Sequence, residues 1–296
     1  MFNSKTKVAH IKNSRTVFGP SIPCYKGKTV RGKSKHVDEG YVQIPASLIE
    51  QNRNVTLAAD VMFVSGLPFS ITLSRGLTFV TVQYVPRRTA PELSNAIKQV
   101  ITVYKRAGFN PRLALMDGKF EKVKTKLAGL IEMNTTAKNE HVAEVERKIR
   151  HVKERCRSTK ADMPYRILPN LVIKAMVIHS VLWMNAWRAK NGISTEFSPR
   201  EIVLRWQLST KLHCQAHFGS YCLMYDEPTI TNTQEARGRD SICLGPTGNR
   251  QGTYKFLDLG TKRVVKRKPF KEFHMPDRIK RQVEAMGEKD KQDGRL

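Results

Sequence analysis

Three strand-like runs in succession, between Val55 and Val85, constrain the fold more than any other stretch of this chain. VTLAADVMFV (residues 55–64) is β-rich and largely apolar, as expected of a strand covered on both faces. A break at Ser65–Gly66 and Pro68 leads into FSITLSR, and Arg75–Gly76 leads into TFVTVQYV, which alternates cleanly. Such runs joined by short turns predict an antiparallel meander. Asp60 sits in the middle of the first run. A carboxylate among apolar residues of a central strand is costly without a partner, and a metal ion is a natural one.

Helix and strand signals then alternate. Thr89-Ala-Pro-Glu92 predicts a capping box opening a helix to about Lys105, with Leu93, Ile97, Val100, Ile101 and Tyr104 inward and Gly108 as its stop. RLALMD (Arg112–Asp117) reads as a short strand ending in an acid, although Asp117 before Gly118 also suits a plain turn. A short helix near Phe120–Leu127 and a strand near Leu130–Met133 follow. HVAEVERKIRHVKERCR (His141–Arg157) puts Val142, Val145, Ile149, Val152 and Cys156 on one helical stripe. Glu146 lies about 80° from the centre of that stripe, Glu144 about 120° away on the other side. Arg150, Lys153 and Arg157 share the Glu146 margin. A solvated amphipathic helix with a Glu146–Arg150 pair is the plain alternative.

The most apolar run, Leu171–Trp187, contains Lys174, His179 and Asn185 and reads as a buried helix rather than a membrane span, with His179, Trp183 and Trp187 in the core. Ser198-Pro-Arg-Glu201 is a second capping box with Pro at the first helical position. Beyond Leu212, short strand-like runs separated by Gly, Pro and Asn turns predict a small β-barrel. The expected organisation is a basic arm over 1–54, a core over 55–205, the barrel over 212–272 and a polar tail over 273–296.

The chain carries 52 Lys and Arg against 26 Asp and Glu, a formal charge of +26. The excess is spread along the whole length, which points to a polyanionic partner, nucleic acid above all, rather than a membrane surface. Five irregularly spaced cysteines argue against a secreted disulfide framework, and MFNSKTKVAH has no apolar core of a signal peptide. His10, His36 and Cys24 lack ligand spacing, so no zinc site is expected. Cys214 and Cys222, near His213 and His217, read as ordinary residues of a strand segment. Gly245-Pro-Thr-Gly248 reads as a turn, lacking the lysine of a phosphate loop.

The order β-β-β-α-β-α-β-α, starting as a meander, is that of ribonuclease-H-like nucleic-acid enzymes, α/β proteins with a mixed five-stranded sheet and flanking helices. One acid sits on the first strand, a second at the end of the fourth, a third on a following helix. Here those places hold Asp60, Asp117 and Glu146. Carboxylates suit them because hard oxygen ligands can hold two Mg²⁺ (or Mn²⁺) about 3.5–4 Å apart for an in-line displacement at phosphorus.

VTLAADVMFVSGLPFSITLSRG, ALMDGKFE, EVERKIRHVKERCR, FSPREIVLR, HCQAHFGSYC and GPTGNRQGTYKFLDLGTKRVVKRKPF together resemble the integrase region of copia-type LTR-retrotransposon polyproteins. Glu146-Arg147-Lys148-Ile149-Arg150 matches that family's third-acid helix, Ser198–Glu201 its [ST]-P-x-E helix start, and Phe218-Gly219 a later F-G segment. The resemblance covers roughly residues 20–272. It implies 3′-end processing and strand transfer of DNA by a nuclear homo-oligomer, with Mg²⁺ on Asp60, Asp117 and Glu146. The expected DNA contacts are Arg147, Arg150, Lys153 and Arg157 on the helix, and Lys262, Arg263, Lys266, Arg267 and Lys268 in the last segment.

Three departures stand against that pattern. Only 28 residues separate Asp117 from Glu146, fewer than the family's usual spacing. The Gln-Asn-Gly lead-in is replaced by Asn139-Glu140-His141-Val142-Ala143-Glu144, which leaves Glu144 as an alternative third ligand. Ile22–Arg31 resembles the tail of the family's upstream zinc module with Cys24 alone remaining, so the arm reads as a remnant of that region. A decayed, nonenzymatic DNA-binding remnant is the alternative reading, and a nuclease of RNA–DNA hybrids a third.

Overall fold

The computed structural model describes residues 8–27, 41–135, 143–225 and 234–292. Helices α1 (Val8–Phe18), α2 (Ile22–Gly27) and α3 (Ala46–Gln51) precede the first sheet. The expected polar arm is therefore partly helical and anchored. Tyr25 meets Phe273 edge-on with ring centroids 5.3 Å apart, Lys26 pairs with Asp240 at 2.7 Å, and Leu48 and Ile49 pack on the core. Most of the basic patch Lys26–Lys35 lies outside the described residues, as do His36 and residues 139–142 of the replaced lead-in.

The meander forms as expected: β1 (Asn54–Val64), β2 (Leu67–Ser74) and β3 (Val80–Tyr84), all antiparallel. Ser65 and Gly66 both have positive φ (47° and 74°), the backbone of a tight two-residue hairpin whose twist matches its strands. Helix α4 (Ala90–Arg106) crosses to β4 (Asn110–Met116). A 3₁₀ turn (Gly118–Val123) and α5 (Lys124–Leu127) return the chain to β5 (Glu132–Thr135). The sheet order is β3-β2-β1-β4-β5, with β4 parallel to β1 and β5 parallel to β4. This mixed sheet fits a ribonuclease-H-like core.

Both faces of β1 are covered, which is why its sequence reads as nearly continuous apolar. Ala58, Met62 and Val64 enter one core cluster, Val55, Leu57 and Ala59 the other. The first cluster includes α6 (Ala143–Ala161) and α7 (Asn170–Ala186); the second includes α4 and α8 (Pro199–Leu204). The Ser198–Glu201 capping box forms with both reciprocal bonds. The one expected at Thr89 does not: Thr89 makes no side-chain cap bond, and Glu92 reaches further upstream to accept from the Arg87 amide at 2.9 Å.

After α9 (Thr210–His213) comes a second sheet: β6 (Tyr221–Tyr225), β7 (Gly238–Pro246), β8 (Tyr254–Asp258), β9 (Val264–Arg267) and β10 (Phe270–Phe273), all antiparallel in the order β10-β6-β7-β8-β9. The expected closed barrel is not formed, because no ladder joins β9 to β10 among the described residues. The sheet is curled instead. Phe270 on β10 reaches across to Tyr254 and Phe256 on β8, with ring centroids 4.8 and 5.0 Å apart. The opposite face supplies Tyr221, Leu223, Ile242 and Leu257 to the cluster that holds α7.

The expected polar tail is also corrected. Residues Asp277–Lys289 form α10, whose Ile279 and Val283 are fully buried in that cluster. Their i,i+4 spacing gives the helix one apolar side. No helix among the described residues is long and apolar enough to cross a membrane.

Candidate active site

In the β1–β4 ladder, Ala59 pairs with Met116, the last residue of β4; Asp60 follows Ala59 within β1 and Asp117 follows Met116 just past its strand. Ala59 and Met116 both face the α4 core. Side chains alternate along a strand, so Asp60 turns to the opposite face, the one α6 covers. Asp60 is half-buried, and its Oδ1 accepts from the Val61 amide at 2.6 Å. Asp117 sits in extended backbone (φ −66°, ψ 152°) at the start of the 3₁₀ turn, and its carboxylate makes no capping bond there. The turn at Gly118 is held by the Phe120 amide donating to the Asp117 carbonyl at 2.9 Å.

Helix α6 buries Val145, Val152 and Cys156, with Ile149 partly buried beside them, as its stripe predicts. Its two margins meet different neighbours. Lys148, His151 and Arg155 line a cavity with Met184 and Trp187, so that margin faces α7 and the β3 side of the sheet. Glu144 belongs to the α7-facing margin, and its Oε2 accepts from Arg75 Nε at 2.8 Å. Glu146 is exposed in the first turn, on the margin directed away from α7. Among the described residues, no three His, Cys, Asp or Glu side chains gather closely enough to hold a metal ion. The two aspartates have the donor chemistry for a divalent cation; Glu146 does not close with them into a three-ligand set.

The expected DNA contacts are surface groups. Arg147, Arg150 and Arg157 are exposed and Lys153 is half-buried on α6. Lys262, Arg263, Lys266 and Lys268 are exposed, and Arg267 half-buried, on or beside the edge strand β9. Two side-chain expectations change. Trp187, read as core, is 61% exposed at the end of α7. His213 lies in α9 rather than a strand, buried, with Nε2 2.8 Å from the Asn249 carbonyl and Nδ1 3.0 Å from that of Ser209. His217 is on the surface, 3.2 Å from Glu272. His10 and Cys24 are exposed on separate helices.

His179, expected in the core, lies among the aromatic rings of Trp183 and Phe218. Its Nδ1 is buried without a hydrogen-bond partner among the described residues. Burial, with Lys255 a lesser cause, pushes the imidazole down to about 4. The α7-side groove itself left no signal in the sequence, because its walls come from helices that meet only in three dimensions.

No family model matches the chain, and no curated protein matches it. Among solved structures, it is similar to the catalytic core domain of BIV integrase, with 18% sequence identity, a TM-score of 0.37, and coverage of 50% of this chain and 93% of that one. Strand order and register, rather than that likeness, define the fold.

Proposed function

We propose that this chain is an integrase-like polynucleotidyl transferase of the copia retrotransposon type, acting on DNA ends in the nucleus as a homo-oligomer. The observation that supports the reading is that Asp60 and Asp117 directly follow Ala59 and Met116, the last recorded pair of the parallel β1–β4 ladder, with Asp60 on the face α6 covers. The +26 charge and the exposed cations of α6 and β9 support a DNA substrate. Asp60 and Asp117 would hold Mg²⁺ or Mn²⁺, with Glu146 favoured over Glu144 as the third carboxylate because Glu144 lies on the α7-facing margin of α6, beside Arg75. The bound metal would activate the attacking hydroxyl and stabilise the leaving oxygen. Arg150, Lys153 and Arg157 would seat backbone phosphates beside the carboxylates, positioning the scissile bond without reading sequence. In this reading residues 55–205 carry the chemistry, while the 1–54 arm and the 212–272 segment add grip.

Strand transfer with oligonucleotide ends tests it. Asp60→Asn and Asp117→Asn each abolish joining while retaining DNA binding; joining by both variants discards the assignment. That no three His, Cys, Asp or Glu side chains close together among the described residues favours a second reading, a DNA-binding remnant that no longer organises metals. A wild-type melting temperature unmoved by millimolar Mg²⁺ or Mn²⁺ selects the remnant.

A further inference from the structure

Between α6 and α7 runs a groove made of two cavities that meet at Arg155 and Trp187. The first, about 430 Å³, is bordered by Lys148, Arg155 and Arg188, with Glu154 as its one carboxylate. The second, about 340 Å³, is bordered by His179, Trp183 and Trp187, with Arg155 and Asp162 at its rim. One compartment is cationic and the other aromatic.

On α6 the groove residues lie about 100° from the centre of the buried stripe, on the side opposite Arg150, Lys153 and Arg157. They form a second cationic margin. Lys148, Arg155 and Arg188 make no ion pair with any described carboxylate. Burial, with Arg147 next, holds the Lys148 ammonium below the ordinary lysine range, a penalty that an arriving anion relieves. Trp187 leaves most of its surface in water beside these three cations.

We propose that this groove holds an unpaired nucleotide of a single-stranded nucleic acid, its phosphate on Lys148, Arg155 and Arg188 and its base against Trp187. Cations that track a backbone beside an aromatic platform are the general means of gripping single strands, and stacking tolerates any base. A duplex keeps its bases stacked inward and offers Trp187 no free face. The inference rests on the DNA reading above for its biological partner and assigns the groove to the frayed strand of a DNA end.

Fluorescence anisotropy with a labelled oligothymidylate of about ten nucleotides tests it. Trp187→Ala weakens binding about tenfold and Trp187→Phe restores most of it, while a blunt duplex binds wild type and Trp187→Ala alike. Changing Lys148, Arg155 and Arg188 together to Gln lowers the slope of log K against log salt by about 2. Equal oligonucleotide affinity of wild type and Trp187→Ala overturns the proposal. So does competition by thymidine monophosphate as strong as that of unlabelled oligonucleotide, which makes the groove a free-nucleotide site. Strand transfer that Asp60→Asn and Asp117→Asn still abolish, alongside equal oligonucleotide affinity of wild type and Trp187→Ala, sinks the groove and leaves the carboxylate reading standing. Normal strand transfer by those two variants discards the carboxylate assignment and leaves the groove standing.

Discussion

Asp60 and Asp117 are the residues that follow the Ala59–Met116 pair of two parallel strands, Asp60 still within β1 and Asp117 at the turn that ends β4. Neighbouring strands run about 4.8 Å apart, a spacing at which one divalent cation can reach carboxylates from both. Millimolar Mg²⁺ is expected to raise the wild-type melting temperature and to leave those of Asp60→Asn and Asp117→Asn unmoved. Thermal melts with and without metal read the effect; equal shifts in wild type and both variants contradict it.

His179 gives the molecule an acid-sensitive point. Its ring packs against Phe218 with centroids 4.9 Å apart and against Trp183, and Lys255 is the charge that disfavours its protonation. The folded-state value of about 4 lies below the ordinary 6.5, so the native state resists protonation. Stability from this group is complete above pH 6.5 and is lost as the pH falls toward 4, by roughly 3 kcal/mol in all. His179→Gln flattens the dependence of stability on pH over that window. Denaturant titrations at several pH values measure it, and parallel curves for the two proteins count against the assignment.

Ser198 begins α8, whose Ile202 and Val203 pack under the first sheet. Its hydroxyl accepts from the Glu201 amide at 3.2 Å, and Glu201 accepts from the Ser198 amide at 2.7 Å. Ser198→Ala is expected to cost about 1 kcal/mol of unfolding free energy, with a smaller loss for Glu201→Ala.

Gly287 lets α10 sit close to the segment before α7. A Cβ there would lie 2.7 Å from Ile167 Cγ2 and 3.0 Å from the Leu168 carbonyl carbon. Alanine improves helix propensity by about 1 kcal/mol. Backbone atoms cannot yield as a flexible side chain does, so overpacking of about 1–3 kcal/mol wins. Gly287→Ala is expected to destabilise the protein, and a higher melting temperature for it would show that α10 docks loosely.

The meander, α4, β4 and α6 were legible because each carries a period that only one geometry satisfies. Asp60 stood out because a charge interrupts an apolar strand, and Asp117 because it ends one. Whether Glu146 closes with them is set by how far α6 stands from the sheet, and no spacing along the chain encodes that distance. The barrel expectation rested on short strands and turns, which describe an open curled sheet equally well. α10 was hidden by its charge: Ile279 and Val283 are few among Lys, Arg and Glu, yet their spacing is that of a buried side. Trp187 misled because it continues the apolar spacing of α7 one residue past the point where the helix ends.

The cluster that starts at Ala58 and Phe69 in the first sheet passes through Val172 and Met176 on α7 to Tyr221, Ile242 and Leu257 in the second, and closes at Ile279 and Val283. Cutting the chain between the sheets would give two pieces, each with a greasy wound facing water. Fragment expression therefore invites aggregation, and the two halves should melt together as one cooperative body.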